Sequence, residues 1–530
     1  MTGPSTHSPA DLAHGTFSDN PPWLVDPDAL AWLDDIDTIR MATSRRVPSL
    51  ITPPRMPPLR RAITVLRHFG WALAAWFVTG RRRGGSASTA DLSRRMREVA
   101  ETLGPTYIKL GQIISSGEGI FPAEFVAEFT RCRDQVPAES FASVRRVVES
   151  DLGATLESTF AEFAREPIAA ASIAQVHAAT LHDGTKVVVK VQRPTVDELV
   201  HKDLQVMAWL SPYLVGRIPV ASLANPPALV EVFAHTINEE LDFRLEAANM
   251  LDVARVFADL EQTHFVVPRP HPELVTRRVL VMERLDGFRF DDVERYDELG
   301  VDTHAVVRAG MIGFMEGALI HGIFHGDLHG GNLYILEDGR TALLDFGITG
   351  RMTEAKRLAF VRLLIGGMMN NPVDQLGAMR DLGALPADAD LEAVANDLGL
   401  LDDVIDPLTM TPDQLTEELQ RIVRALLGYG ARMPKELMLF VKNMVFLDGA
   451  IATLAPDLDL FAEITHVATY FVSAHGARLA SDVGMDPEQY QFDPGGIRVA
   501  FGVDAQTERM TYRELQERRE IIQRRLRDRI

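Results

Sequence analysis

The string HGDLHGGN, from His325 to Asn332, gathers residue types that bind metals, transfer protons or let a backbone approach a phosphate. It is compatible with a metal site, a phosphate-binding glycine loop or the catalytic loop of a phosphotransferase. His325 and His329 would have to share one face of a helix to hold zinc together. The three glycines of the string make a helix improbable there. The string alone does not decide between the two remaining interpretations.

A second motif, thirteen residues after Asn332, supports the catalytic-loop hypothesis. The string LLDFG contains Asp345, and the intervening LYILEDGRTALL predicts a hairpin with Asp338 and Gly339 at its turn. Such a hairpin would bring Asn332 and Asp345 to one end, where two oxygen ligands suit Mg²⁺ bound to ATP phosphates. Asp327 lies five residues before Asn332, the spacing found in kinase catalytic loops. It would orient or deprotonate the attacking oxygen.

The upstream half of the chain must supply a cation for the phosphates, and Lys190 in TKVVVKVQRP is the candidate. A charged side chain in a β-branched strand is costly unless it has a partner. Only seven lysines occur among the 54 basic residues, which suggests that a compact charge is needed here. The segment NEELDFRLEAANM offers Glu240, Asp242 and Glu246; on one helix, Asp242 and Glu246 would share a face. The alternatives are a lysine that reaches solvent and a solvated acidic helix face.

The glycine-rich loop of ordinary kinases is missing. Upstream of Lys190 the sequence reads PIAAASIAQVH, with alanine at positions 169, 170 and 171. Alanine disfavours the positive φ angles that glycine allows, and each Cβ crowds a backbone that must approach phosphates. No A-P-E motif follows LLDFG, so we do not expect an activation segment that docks peptides.

The order of elements predicts an α+β protein: a two-lobed, protein-kinase-like fold with an N-terminal helical extension and a mainly helical C-lobe. SIAQVHAATL and TKVVVKVQ predict two strands joined by a glycine-containing hairpin, and RRVLVMERL predicts a strand that ends near Leu285. We expect a disordered or irregular Pro-rich N-terminus (1–60), a helical extension (61–160), a kinase-like N-lobe (161–285), a kinase-like C-lobe (286–480) and a tail with a charged helix (481–530).

Composition narrows the class of protein. The net charge of −20 argues against nucleic acid as the main partner. The single cysteine, Cys132, excludes an internal disulfide. The polar N-terminus lacks a secretory signal, and no run of 18 apolar residues predicts a conventional membrane span. We expect a cytoplasmic protein.

Residues 41–90 differ from the rest of the chain, because they contain nine arginines and no acidic residue. They enclose FGWALAAWFVTGRRRGG, in which Trp71 and Trp76 precede the arginines at positions 81–83. The apolar part is too short to span a bilayer but suits a helix at an anionic membrane surface. A helix packed on its own protein is the alternative. On the first interpretation the protein is peripheral at the inner face of the cell membrane.

Six strings in this order resemble the UbiB/aarF family of atypical kinases. They are KLGQ, the alanine-rich AAAS, VVVKVQRP, ELDFRLEAANM, HGDLHGGN and LLDFG, and the resemblance runs from about Leu103 to at least Gly350. It implies a protein-kinase-like fold that binds ATP and Mg²⁺ and supports isoprenoid-quinone biosynthesis at membranes. The implied partners are ATP, an isoprenoid-quinone precursor lipid and the anionic membrane surface, without nucleic acid.

The resemblance also implies the role of each motif residue. The K-x-G-Q motif, with Lys109 and Gln112, belongs to the helical extension, which would cover the active cleft, exclude protein substrates and leave an ATPase or small-molecule kinase. Lys109 would meet Glu240, while Glu246 pairs with Lys190. The expected catalytic residues are Asp327, Lys190, Glu246, Lys109 and Glu240. The expected nucleotide-binding residues are Ala169, Ala170, Ala171, Ser172, Lys190, Met282, Glu283, Asn332 and Asp345, of which Asn332 and Asp345 are the metal ligands.

The chain departs from the family pattern in three places. The family usually has proline where Gly330 stands and often has it where Leu328 stands. Gly117 replaces an arginine after the K-x-G-Q helix. HGDLHGGN resembles the loop of aminoglycoside and choline kinases equally well, but those enzymes lack the K-x-G-Q extension. A weakly catalytic, lipid-binding pseudokinase is the further alternative, although each nucleotide-contacting position carries a competent residue.

Overall fold

The computed structural model describes residues 17–18, 22–115, 123–131, 137–214, 226–368, 371–400, 421, 425–426, 428–431, 433–484 and 509–527. Gly117 and Cys132 lie outside these residues. The chain forms two compact units: the first contains Met1–Gly287 and Ala342–Ile348, and the second contains Phe288–Thr341 and Thr349–Ile530. Within the segment expected to be C-lobe, residues 342–348 therefore belong to the first unit, where Asp345 is held by Lys190.

The first unit begins with helices, as expected for residues 61–160. They are α1 (Ile36–Ile51), α2 (Leu59–Ala75), α3 (Gly85–Leu103), α4 (Pro105–Ser115), α5 (Ala123–Thr130), α6 (Phe141–Leu152) and α7 (Leu156–Thr159). Gly104, at φ 98, separates α3 from α4, because the chain turns there through a conformation that favours glycine. The helix that carries Lys109 thus starts with Pro105 at its first position, where a missing N–H costs nothing.

The β-rich part of the first unit contains β1 (Phe160–Phe163), β2 (Ala169–Ala170), β3 (Ala174–Leu181), β4 (Lys186–Gln192), β5 (Phe265–Val266), β6 (Pro270–Val275) and β7 (Val279–Glu283). The central sheet is antiparallel in the order β1-β3-β4-β7-β6, with β2 on β3. The hairpin between β3 and β4 and the strand that ends near Leu285 are confirmed.

The pattern of β4 shows why Lys190 is available for chemistry. Val187, Val189 and Val191 are at most 1% exposed and pack with Val148 of α6 in the sheet core. Because side chains alternate along a strand, Lys190 points to the opposite face. Burial of the valines therefore fixes the orientation of the lysine.

Three further helices complete the first unit: α8 (Val196–Leu214), α9 (Pro226–Glu240) and α10 (Phe243–Asp259). The expectation that NEELDFRLEAANM forms one helix is wrong. Asp242 has extended angles (φ −134, ψ 102), and its carboxylate accepts a hydrogen bond from the N–H of Arg244 at 3.2 Å. It is therefore the N-cap of α10, and Glu240 and Glu246 belong to different helices.

Residues 36–51 correct the expected irregular N-terminus. Ile36, Val47 and Leu50 are buried on one side of α1, which packs against α8 and α9. The amide of Asn238 in α9 also donates to the carbonyl oxygen of Thr43 at 2.9 Å. Tertiary burial stabilises this helix despite Pro48 and the Pro-rich residues that follow.

The second unit is mainly helical, as predicted. Its elements are β8 (Phe288–Arg289), α11 (Val293–Leu299), α12 (Thr303–Glu316), β9 (Ile323–His325), β10 (Leu333–Ile335), β12 (Thr349–Arg351), α13 (Glu354–Met368), α14 (Pro372–Asp381), α15 (Leu391–Asp397), α16 (Lys435–Leu454), α17 (Leu460–Val483) and α18 (Tyr512–Arg527), while β11 (Thr341–Leu343) begins at its boundary. β8 pairs with β10, and β9 pairs with β12. The predicted turn at Gly339 is present, with φ 83 and its N–H donating to Leu336 at 3.0 Å.

Candidate functional site

Lys190 lies between two carboxylates of the first unit. Its Nζ is 2.7 Å from Oε1 of Glu246 and 3.1 Å from Oδ1 of Asp345. Burial alone would lower the pKa of Lys190, but Asp345 and Glu246 raise it above the usual lysine value. The predicted pairing of Lys190 with Glu246 is confirmed, and the ammonium is charged at any physiological pH.

Asp345 adopts a conformation that most side chains avoid. Its φ is 57, and among the described residues it shares a positive φ outside glycine only with Glu261. Aspartate tolerates this region better than most residues, yet positions of this kind typically cost about 1–3 kcal/mol and cluster at functional sites. Asn249 of α10 supports the segment by donating from Nδ2 to the carbonyl oxygen of Phe346 at 2.9 Å. The conformation leaves the Asp345 side chain 43% exposed beside Lys190.

The alanine-rich segment is extended backbone rather than a glycine-like turn. Ala169 and Ala170 pair with Val176 and Gln175 of β3, and the N–H of Ala171 donates to Ala174 at 2.8 Å. Ala169 is exposed and Ser172 is buried. The segment therefore reaches its turn without any positive φ, which is why alanine is tolerated.

Lys109 and Glu240 form another lysine–glutamate pair of the first unit. Nζ of Lys109 in α4 is 2.9 Å from Oε1 of Glu240 at the end of α9, and both side chains are 9% exposed. The predicted pairing is confirmed. A Cβ added at Gly347 would lie 3.3 Å from Cγ of Glu240, so this pair also packs against the LLDFG segment. Asp242 belongs to neither pair, since its carboxylate holds Arg244.

Met282 and Glu283 occupy the end of β7 and are buried. Burial raises the pKa of the Glu283 carboxyl, which accepts hydrogen bonds from the Ser18 hydroxyl and, at 3.3 Å, from the N–H of Arg269. The N–H of Glu283 donates to the carbonyl oxygen of Arg269. The Glu283 side chain thus anchors residues near the N-terminus, and the nucleotide contact expected of Met282 and Glu283 stays a prediction.

In the second unit, the loop HGDLHGGN is organised around Asp327. Nδ2 of Asn332 donates to the carbonyl oxygen of Asp327 at 3.0 Å, which leaves Oδ1 of Asn332 as the atom that can ligate a cation. Nδ1 of His325 accepts from the N–H of Asp327, and Nδ1 of His329 accepts from the N–H of Gly331. The imidazoles therefore shape the loop, which accounts for them without zinc.

Two neighbouring residues of α16 hold this loop, and the sequence analysis missed both. Asn443 is fully buried; it accepts from the N–H of Leu328 at 3.0 Å and donates to the carbonyl oxygen of His325. Lys442 forms an ion pair with the Asp327 carboxylate. The rarity of lysine, which singled out Lys190, applied equally to Lys442.

Each unit offers one oxygen group of the kind that Mg²⁺ prefers: the Asp345 carboxylate in the first unit and the Asn332 amide in the second. Lys190 provides a fixed cation for phosphate oxygens. As predicted, Lys190 lies on β4, and Asn332 and Asp345 lie in loops. Their roles in binding Mg²⁺ and ATP stay predictions.

Comparison with known proteins gives a consistent result. Residues 131–377 match a family described as the ABC1 atypical kinase-like domain. Rv0647c of Mycobacterium tuberculosis is 35% identical over 375 residues, covering 69% of this chain and 76% of the relative. An aarF domain-containing protein kinase of Arabidopsis thaliana, named as chloroplastic, is 31% identical over 399 residues (69% and 73%). The probable protein kinase UbiB of Cellvibrio japonicus is 30% identical over 373 residues (69% and 67%).

Proposed function

Because this chain belongs to the ABC1 atypical kinase-like family, which includes UbiB and aarF-domain kinases, we propose that it binds Mg²⁺-ATP and transfers or hydrolyses the terminal phosphoryl group. The observation that carries this proposal is Lys190, whose side chain is 11% exposed and is held 2.7 Å from Glu246 and 3.1 Å from the half-exposed Asp345. A lysine paired in this way is oriented before any ligand arrives. Asp345 can then exchange its contact with Lys190 for a cation.

Each residue of the candidate site has a separate role in the proposed reaction. Asp327 accepts the proton of the attacking oxygen, because it is the carboxylate of the loop that α16 holds in place. Asn332 and Asp345 are the groups that would hold Mg²⁺, which neutralises charge on the phosphates. Lys190 binds phosphate oxygens, and Glu246 keeps Lys190 oriented.

The test is Mg²⁺-ATP binding and turnover in full-length protein carrying Asp327→Asn. We expect turnover to fall by about 10²–10⁴-fold, the usual contribution of a positioned base, with little change in ATP affinity. Asp448→Asn is the matched control, since Asp448 of α16 pairs with Arg519 of α18 within the second unit. If Asp327→Asn turned over like wild type, Asp327 would have only a structural role.

We further propose that α2 places the protein at an anionic membrane. Leu59, Ile63, Leu66 and Leu73 of α2, and Phe77 of the helical segment Trp76–Gly80 that continues it, follow one another at helical spacing and are between 43% and 62% exposed. Ala62, Val65 and Ala72 are buried on the other side, so the helix is apolar on two faces. An exposed stripe of this kind, flanked by arginines, suits a lipid surface.

Two helical stretches of the described chain are long and apolar enough to cross a membrane. Leu59–Gly80 spans 22 residues and is largely exposed, whereas Lys435–Leu454 spans 20 residues, is more apolar and is more buried. The first is therefore longer than expected from the sequence. Arg61 ties it to the first unit, because Nη2 lies 2.9 Å from the buried Asp203, and we favour a helix lying along the surface. The second, α16, supplies Asn443 to the catalytic loop.

Trp71 and Trp76 behave differently. Trp71 is 78% exposed, as an interfacial residue requires. The indole N–H of Trp76 instead donates to the carbonyl oxygen of Ser88 at 3.0 Å, and its ring is half-buried. We therefore assign membrane contact to Trp71 and an anchoring role to Trp76.

Sedimentation with vesicles tests the membrane proposal. Replacing Arg67, Arg81 and Arg82 by glutamine should release protein from phosphatidylglycerol-containing vesicles, because each arginine near such a surface contributes about 1 kcal/mol. Glutamine at Arg284 and Arg295, which are exposed elsewhere, is the control. Equal sedimentation of the wild type with neutral and anionic vesicles would contradict the electrostatic part.

The proposed lipid role concerns isoprenoid-quinone biosynthesis, which the family resemblance supports. An apolar helix in the same unit as Lys190 is consistent with a lipid substrate or effector. The test is ATP turnover with neutral vesicles, anionic vesicles and vesicles that contain a quinone-precursor mimic. We expect the mimic to change turnover, and phosphate found on the mimic would identify a kinase instead of an ATPase.

A further inference from the structure

The ion pair between Lys442 and Asp327 lies at the residue assigned as the proton acceptor. The string HGDLHGGN contains neither lysine nor arginine. The loop therefore brings no permanent positive charge of its own to a reaction that moves negative charge. Lys442 reaches Asp327 from α16, more than a hundred residues further along the chain.

The neighbouring residue, Asn443, already holds the backbone of this loop in place. Asn443 is fully buried and bonds backbone groups on both sides of Asp327, at His325 and Leu328. Lys442 bonds no backbone group of the loop in the contacts that the structure shows; it reaches the reactive carboxylate. Its side chain is 18% exposed and that of Asp327 is 12% exposed, so the pair is accessible to a ligand.

An ion pair with side chains only 18% and 12% exposed is weak evidence for a stabilising role, because desolvation offsets much of the attraction. Lysine is also scarce in this chain. An ammonium has three donors, so Lys442 can keep one hydrogen bond to Asp327 while another contacts a phosphate oxygen. Its position beside the proton acceptor is where negative charge develops during phosphoryl transfer.

We propose that Lys442 is a catalytic residue, which contacts the transferred phosphoryl group and stabilises its negative charge; this rests on the proposed function. The oxygen of water or of an acceptor hydroxyl forms a bond to the terminal phosphorus. The bond from that phosphorus to the bridging oxygen breaks, and its electron pair stays on ADP. The proton of the nucleophile goes to Asp327, and Lys442 remains protonated throughout.

Steady-state ATP turnover of Lys442→Met in the full chain tests this role. Preorganised charges of this kind are typically worth about 10²–10³-fold, so we expect kcat to fall by about 10²-fold. KM for ATP should stay within about threefold of wild type, because the interaction strengthens in the transition state. Lys442→Arg should restore part of kcat and Lys442→Gln should not, since only arginine keeps the charge.

Lys356→Met is the matched control, because Lys356 of α13 pairs with Glu436 of the same helix α16 at 2.8 Å. It should leave kcat unchanged. Combining Lys442→Met with Asp327→Asn should cost far less than the product of the two single effects, since both act on one step. A purely structural lysine would instead lower the unfolding temperature without this kcat pattern.

The possible results distinguish failure of the role proposed for Lys442 from failure of the proposed function. Wild-type kcat in folded Lys442→Met would overturn the role of Lys442 and leave the proposed ATPase intact. If Lys442→Met does not fold, equal kcat in Lys442→Arg and Lys442→Gln overturns it instead. Absence of Mg²⁺-ATP binding and turnover in the wild type would refute the proposed function, and the role of Lys442 with it.

Discussion

Two lysine–glutamate pairs of the first unit, Lys109–Glu240 and Lys190–Glu246, have similar geometry and different surroundings. Lys109 and Glu240 are 2.9 Å apart, and Lys190 and Glu246 are 2.7 Å apart. Lys190 also contacts Asp345, whose side chain is 43% exposed, whereas both members of the Lys109 pair are 9% exposed. The first pair therefore joins two helices, and the second holds a cation toward a group that a ligand can reach.

The function of each ion pair therefore depends on the groups that surround it. A buried pair is weak evidence for stability, because desolvation offsets much of the attraction. A pair with a third, partly exposed partner can exchange that partner for a ligand. We therefore expect substitutions at Lys190 to act on nucleotide binding and substitutions at Lys109 to act on the attachment of α4.

Substitution of the two lysines gives the largest expected contrast. Lys190→Met should weaken Mg²⁺-ATP binding by about tenfold to hundredfold, since a hydrogen bond to a charged group is worth about 1.5–3 kcal/mol. Lys109→Met should change the affinity much less, because Lys190 still binds the phosphates. Calorimetric titration of both folded variants measures this. Equal losses of affinity would remove the distinction between the pairs.

Asp345→Asn tests the role of the partly exposed carboxylate that contacts Lys190. Asparagine also tolerates a positive φ, so the backbone is expected to persist. The substitution removes the charge that would offset Mg²⁺ and should weaken Mg²⁺-ATP binding by about tenfold. Titration with ATP in the presence and absence of Mg²⁺ should show the loss mainly with Mg²⁺. An affinity equal to wild type under both conditions would argue against a metal-binding role for Asp345.

A double-mutant cycle on Lys109 and Glu240 tests the closed pair. Residues in contact couple by about 0.5–3 kcal/mol, and we expect this coupling in the free energy of unfolding and in the ATPase rate. Lys202 and Glu198 of α8 are the control, because they form the same pair with side chains 48% and 72% exposed. Their coupling should be only about 0.3–0.5 kcal/mol. Strict additivity at Lys109 and Glu240 would show that α4 is attached independently of this pair.

Ala169→Gly is expected to have the smallest effect. Loss of the Cβ from an extended segment should lower the free energy of unfolding by about 0.5–1 kcal/mol. The added freedom should also change ATP affinity or nucleotide selectivity at the expense of ATPase rate. Ala161→Gly, at an exposed position of the edge strand β1, is the control. The same nucleotide profile in both variants would mean that the alanine-rich segment does not contact nucleotide.

Local patterns made much of the first unit predictable. The alternation in VVVKV fixed which side of β4 carries Lys190, and the Gly184 turn fixed its hairpin. The need of Lys190 for a carboxylate partner followed from its place in an apolar strand, whereas the choice of Glu246 came from the family resemblance. These inferences depend on residues that act on their own strand or turn.

Other features depended on contacts that are distant in sequence. α1 is stabilised by burial against α8 and α9, which the Pro-rich flanks concealed. The break before α10 had a local signal, since Asp242 is a favourable N-cap, but the continuous acidic pattern suggested one helix. Lys442 lies on an apolar helix with no motif around it. Only its pairing with Asp327 in the structure indicates a functional role.

The lysines differ in exposure, so their rates of acylation can report on their surroundings in the folded protein. Lys186 and Lys202 are exposed and should acylate rapidly, whereas Lys109 is buried and should be protected by the fold. Since the whole chain has only seven lysines, fragment-ion sequencing of the labelled peptides can assign each modification to one position. Slower acylation of Lys190 and Lys442 on addition of nucleotide would therefore report occupancy at each of them separately, without any substitution in the protein.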